Sequence, residues 1–194
     1  MRFFDQAIEI ASRSNAEQYL LQARVSKAWL YKKCNLNEQA VQLATDALAS
    51  VPSQYRIGTA EFFGAAEVPD QMIFRHLSKI YSLLAGVPAE TPEHFAEILE
   101  YHILAILYQQ LFSPYESWFL RVNRRTLYSL MSKFKSRYPE SALNVWQHVD
   151  EIVRANRLGE IRRSFDPLSF EAIIAEVFPK PERSNTGDLR ILGG

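Results

Sequence analysis

Residues 91–112 read TPEHFAEILEYHILAILYQQLF, and how this stretch folds decides the class of the whole chain. It opens on Thr91-Pro92, a capping hydroxyl followed by a residue whose missing N–H costs nothing at the first helical position. From there apolar side chains recur at helical spacing and then close around most of the circumference over residues 98–112. A helix tolerates that only when neighbours cover several of its faces, so the segment is expected to be the central helix of an all-α protein. Glu100, His102, Gln109 and Gln110 interrupt it, and it falls short of the ~20 apolar residues that cross a bilayer, so no membrane-spanning helix is expected.

Working outward, the same start signal occurs at Ser113-Pro114, where Glu116 completes a capping box, and at Asp166-Pro167. After the first of these, Phe119, Val122, Leu127, Leu130, Met131, Phe134 and Tyr138 form one apolar stripe. No stretch alternates like a strand. The pattern predicts helices near residues 2–13, 16–34, 37–50, 70–85, 92–112, 114–137, 140–156 and 167–178, about eight in all, with a short one near 58–66. Prolines, small polar residues and glycine without periodicity make 179–194 a flexible tail. The loops at 51–58 and 86–91 are the candidate hinges.

At the other end, residues 24–52, RVSKAWLYKKCNLNEQAVQLATDALASVP, carry small residues at Ala28, Ala40 and Ala47, an aromatic at Tyr31 and a closing Pro52. The alanines let two antiparallel helices approach closely, Tyr31 fills the space this leaves, and the turn at 34–37 reverses the chain with Asn37 placed to cap the second helix. Ala7, 33 residues before Ala40, sits in a similar segment. This pattern resembles the tetratricopeptide repeat, with its ~34-residue period, over residues 2–52. It departs from that pattern at Arg24, where the family has tryptophan, at Lys27, where it has leucine, and at Asn35, where it has glycine; no further copy follows Pro52. The resemblance implies helical-repeat-like hairpins at 1–52, packed on a helical bundle at 53–178 that shares one continuous core with them. It also implies a groove for a peptide or partner helix, and with it a non-catalytic, regulatory or scaffolding interaction module. Arg24, Lys27, Tyr31 and Asn35 are the partner-binding candidates.

Composition bounds the alternatives. The 194 residues carry 22 Lys+Arg and 22 Asp+Glu, so net charge singles out neither nucleic acid nor membrane as a partner. Charge is nevertheless uneven. Residues 35–112 hold nine acids against three bases, whereas 121–163 hold ten bases against four acids. Arg121, Arg124, Arg125, Lys133 and Arg137 could therefore face an anionic partner: nucleic acid, with Trp118 or Tyr128 stacking on a base, or the acidic half of a second copy of this chain. The single Cys34 cannot form an internal disulfide and reads as structural, and the first residues lack a secretory signal, which together suit a cytoplasmic setting.

His76, His94, His102 and His148 make no metal-ligand pattern: Glu100 and His102 are spaced Glu-x-His rather than Glu-x-x-His, so no metal or cofactor is expected. His102 is expected to be a hydrogen-bonded core histidine and His94 to be exposed. No Gly-rich phosphate loop or Gly-x-Ser-x-Gly elbow occurs. The terminal 189–194, LRILGG, resembles a ubiquitin tail but follows none of that fold's strands. A helical enzyme remains an alternative only if distant residues such as Tyr108, Tyr115, Arg125 and His148 converge.

Overall fold

The computed structural model describes residues 2–14, 16–65, 71–88, 90–113, 118–139 and 145–161. Among them the chain is all-α, with eight α-helices: α1 (Arg2–Arg13), α2 (Glu17–Lys33), α3 (Asn37–Ala49), α4 (Ala60–Gly64), α5 (Gln71–Leu84), α6 (Pro92–Phe112), α7 (Trp118–Arg137) and α8 (Val145–Ala155). Short 3-10 turns lie at Ser53–Tyr55 and Leu158–Glu160. None of these helices is long and apolar enough to cross a membrane. The expected helix at 167–178, the tail at 179–194 and the starts at Pro114 and Asp166 lie outside the described residues.

Local chemistry sets the boundaries. Thr91 accepts a hydrogen bond from His94 N at 3.2 Å and opens α6 as its sequence predicts, and Thr59 caps the short α4 through Phe62 N at 3.2 Å. At the α2–α3 turn, Asn35 takes the left-handed conformation, φ 59°. Its N–H reaches Lys32 O at 3.1 Å while Leu36 N–H reaches Tyr31 O at 2.9 Å, the paired bonds of a Schellman motif. After glycine, asparagine is among the residues best able to adopt that backbone. Asn37 does not cap α3; it is already the first helical residue, and Leu36 in the capping position offers no side-chain acceptor. The C-terminus of α3 is closed instead by Arg56, whose guanidinium donates to the carbonyls of Leu48, Ala49 and Val51 at 2.8–2.9 Å.

α6 is the central helix, with Phe95, Ile98, Leu99 and residues 102–109 buried. α5 packs along it and is pinned by Ser78 Oγ donating to Ala105 O at 2.8 Å. α7 packs on α6 through Phe134 stacked on Phe95, ring centroids 3.7 Å apart, and Tyr138 donates to Glu90 O. Of the predicted α7 stripe, Leu127 and Phe134 are buried, Leu130, Met131 and Tyr138 are half-buried, and Val122 is exposed. α8 joins through Asn156, which donates to Glu100 Oε1 at 2.7 Å. There Gly58, at φ 95°, passes so close that an added Cβ would lie 3.2 Å from Asn156 Cα.

On the other side α2 and α3 meet through Ala28, Ala40, Ala44 and Ala47, all buried, and both pack on α5, while α1 packs on α2. One apolar cluster runs from Leu21 through α5 and α6 to Ile161. Tyr108 ties the linker to it: the phenol accepts from Ile57 N at 2.7 Å and donates to Tyr55 O at 3.0 Å.

Candidate functional site

Of the four partner-binding candidates, Arg24, Lys27 and Tyr31 lie on α2 and Asn35 in the turn that follows it. Arg24, Lys27 and Tyr31 fall on one helix face and are half-buried, and Lys27 is turned toward α1. Its ammonium bonds Asp5 Oδ1 at 2.5 Å and lies 5.3 Å from the Tyr31 ring centroid. The hydrogen bond to Asp5 is the largest of the influences that raise the Lys27 pKa, so the residue is a cation committed to an interhelical ion pair. Asn35 is exposed, with its backbone fixed by the Schellman turn.

What α1 presents on its other side was not singled out from sequence. Its apolar residues Phe3, Phe4, Ala7, Ile8, Ile10 and Ala11 span roughly 160° of the helix at 3.6 residues per turn. Only one edge of that arc is covered. Ala11 is buried and Phe4 and Ile8 are half-buried, but Phe3 is 85% and Ile10 67% exposed, a helical repeat of seven apart on one face. Tyr19, at the start of α2, is a further exposed aromatic, at 65%. The signal was legible in principle, since an apolar arc wider than one neighbour can cover implies a second neighbour.

The basic helix keeps part of its predicted face. Arg125, Lys133, Lys135 and Arg137 on α7 are exposed; Arg121 and Arg124 lie on the same helix, but their side chains fall outside the described residues, as do those of Trp118 and Tyr128. None of the four described cations is held in an ion pair.

Of the dispersed catalytic set, no hydrogen bond or ion pair links the described members Tyr108, Arg125 and His148. Tyr108 is 1% exposed, and its hydroxyl is engaged both as donor and as acceptor. Burial raises its pKa far above the ordinary phenol value, and burial also raises the pKa of its stacking neighbour Tyr81 to about 12, so neither serves as a base near neutral pH. Arg125 is exposed on α7, His148 is half-buried on α8 with Nδ1 3.2 Å from Glu151 Oε2, and Tyr115 lies outside the described residues.

The acids and histidine near the middle of α6 also diverge. Glu97 accepts from Tyr101, Glu100 accepts from Asn156, and His102 turns inward. Among the described residues no three His, Cys, Asp or Glu side chains are grouped to hold a metal ion. His102 is buried as expected, yet its Nδ1 has no hydrogen-bond partner. Burial, with a smaller contribution from the charge of Lys32, pushes its pKa down to about 4, so it is neutral near pH 7. His94 is exposed, and so is Cys34, which caps the end of α2 instead of packing in the core.

No protein-family model, curated protein or solved structure matches this chain.

Proposed function

We propose that the chain is a protein–protein interaction module of regulatory or scaffolding type, built from stacked helical hairpins that resemble tetratricopeptide repeats at 2–52, and that its partner is an amphipathic helix of another protein laid against α1. The observation that carries this reading is the exposed edge of α1, where Phe3 and Ile10 stand in solvent while the adjoining edge of the same arc is pressed on α2. Exposed large apolar side chains aligned on one helix face mark interaction sites more often than isolated ones do. A partner helix reading such a face would anchor at i, i+3, i+4 and i+7 positions. The antiparallel pair α2–α3, closed by alanines, and the packing of α5 on both its helices support the repeat-like part of the reading.

Arg24, Tyr31 and Asn35 stay as polar partner-binding candidates apart from the Phe3–Ile10 edge; Lys27, bonded to Asp5, is assigned to holding α1 in place. The experiment is affinity capture from extract, nuclease-treated and washed at high salt, with the native chain and with Phe3→Glu/Ile10→Glu. Discrete proteins held by the first and lost by the second support the reading. Equal capture by both removes α1 from it.

A second reading rests on the unpaired exposed cations of α7, which suit an anionic partner such as nucleic acid or an acidic protein surface. Binding through Arg125, Lys133 and Arg137 would weaken steeply with added salt and be lost in the triple Gln variant. Salt-insensitive retention would exclude it.

A further inference from the structure

Away from α1, the turn ends of the two hairpins enclose a cleft of about 350 Å3, at the small end of the range of roughly 300–1,000 Å3 that holds small ligands. Its walls come from three separated stretches: the last turn of α2, the first turns of α3, and the end of α5 with the loop beyond it. Ala40, Val41, Leu83, Val87 and Pro88 make most of the lining apolar.

One cation stands in this setting. Lys32 is half-buried, and no described carboxylate is in ion-pair contact with it, although Glu38 also lines the cleft. Its nearest assigned interaction is with the Trp29 ring, 5.8 Å away. Room for the ammonium is made by Gly86, where an added Cβ would collide with Lys32 Nζ. Burial lowers the Lys32 pKa, the mark of a charge that has lost water without gaining a partner. Two buried donors or acceptors close by are also unsatisfied: Nε1 of Trp29, whose ring faces the ammonium, and Nδ1 of His102, which feels its charge.

We infer that this cleft binds a small monoanionic amphiphile, an aliphatic carboxylate whose chain lies against Val41, Leu83, Val87 and Pro88 and whose head group meets Lys32 Nζ. A single point-charge ammonium with no guanidinium fork and, among the described residues lining the cleft, no second cation suits one negative charge better than the two of a phosphate monoester. The mainly apolar lining favours an aliphatic chain over a fully hydrated anion. The site is independent of the α1 surface, so either assignment can fail without the other.

The test is a titration of the full-length, 15N-labelled chain with sodium octanoate, octanamide and octyl phosphate, followed by amide shifts. Octanoate is expected to give saturable shifts at Val41, Gly86 and Val87, with binding reduced roughly 10-fold to 100-fold for octanamide and for Lys32→Met, which is what a hydrogen bond to a charged partner contributes. Lys32→Arg is expected to keep measurable binding, and the His102 ring resonances are expected to move on saturation as the neighbouring charge is neutralised. Thermal melts of both variants establish that they fold. Equal affinity for acid and amide, unchanged binding by folded Lys32→Met, tighter binding of octyl phosphate, or shifts that rise linearly over the whole surface would each overturn the assignment.

Discussion

The hairpin α5–α6 and the segment α1–α3 are both antiparallel helical packings, but they are closed by opposite means. In α5–α6 large side chains fill the interface: Phe74, Leu77, Ile80, Leu99, Ile103, Ile106 and Tyr108 are each nearly or fully buried. Polar pins add direction there, from Ser78 to the backbone of α6 and from Tyr108 to the linker at 55–57. In α1–α3 the buried residues are mainly alanines, at 11, 23, 28, 40, 44 and 47, and among the described residues the long-range ion pair is Lys27 to Asp5. Small residues bring backbones together but bury little area each, so the N-terminal helices contribute less to stability. They also leave apolar surface open. In the proposed reading the densely packed half acts as a frame, and the thinly packed half carries the α1 surface and, together with the end of α5, the cleft at Lys32.

This contrast ranks the expected effects of substitution. Leu99→Ala, at the centre of α6, is expected to cost about 2–5 kcal/mol through lost burial and a residual cavity, read as a large drop in the midpoint of urea unfolding. A loss below about 1 kcal/mol would show that the frame is not centred on α6. Tyr108→Phe keeps the ring stack with Tyr81 but strands Ile57 N–H and Tyr55 C=O, a cost of about 1–3 kcal/mol. Faster hydrogen exchange confined to residues 55–59 would accompany it.

The third effect depends on pH. His102 has an ordinary pKa of 6.5 and a folded value lowered to about 4, so the unfolded chain binds this proton first as pH falls. Stability present above pH 6.5 is therefore lost between about 6.5 and 4, by at most roughly 1.4 kcal/mol per pH unit. Subtracting the profile of His102→Gln from that of the native chain isolates this contribution, and superimposable profiles would contradict it. The smallest effect belongs to the N-terminal side: Asp5→Asn removes the partner of Lys27 at an exposed carboxylate and is expected to cost under about 1 kcal/mol, with fraying of α1 detectable by hydrogen exchange.

Much of this division was legible in the sequence, and the part that was not has an identifiable cause. Thr91-Pro92 and the apolar run behind it mark α6 because capping and periodicity are local. The alanines of α2 and α3 mark a close crossing for the same reason. Asn35 reads as a departure from a glycine until its φ of 59° shows that the position asks for a left-handed backbone rather than for glycine as such.

The surfaces were harder to read. Lys27 is 22 residues from Asp5, so their interhelical ion pair could not be read from local spacing. Lys32 meets Gly86 and Val87 only after α5 docks on the first hairpin, and nothing in the spacing of residues 24–52 distinguishes it from Lys33, which is exposed. Phe3 and Ile10 were visible as apolar positions, but sequence periodicity says which residues share a face, not how much of that face a neighbour covers.

The measurement that tests the central claim most directly is capture of partner proteins by the native chain and by Phe3→Glu/Ile10→Glu, with both melting temperatures determined alongside. Substitutions at such exposed positions are expected to change stability by no more than about 0.5 kcal/mol. The account predicts an unchanged melting temperature and loss of the proteins retained at high salt. Full retention by the equally stable variant would contradict it.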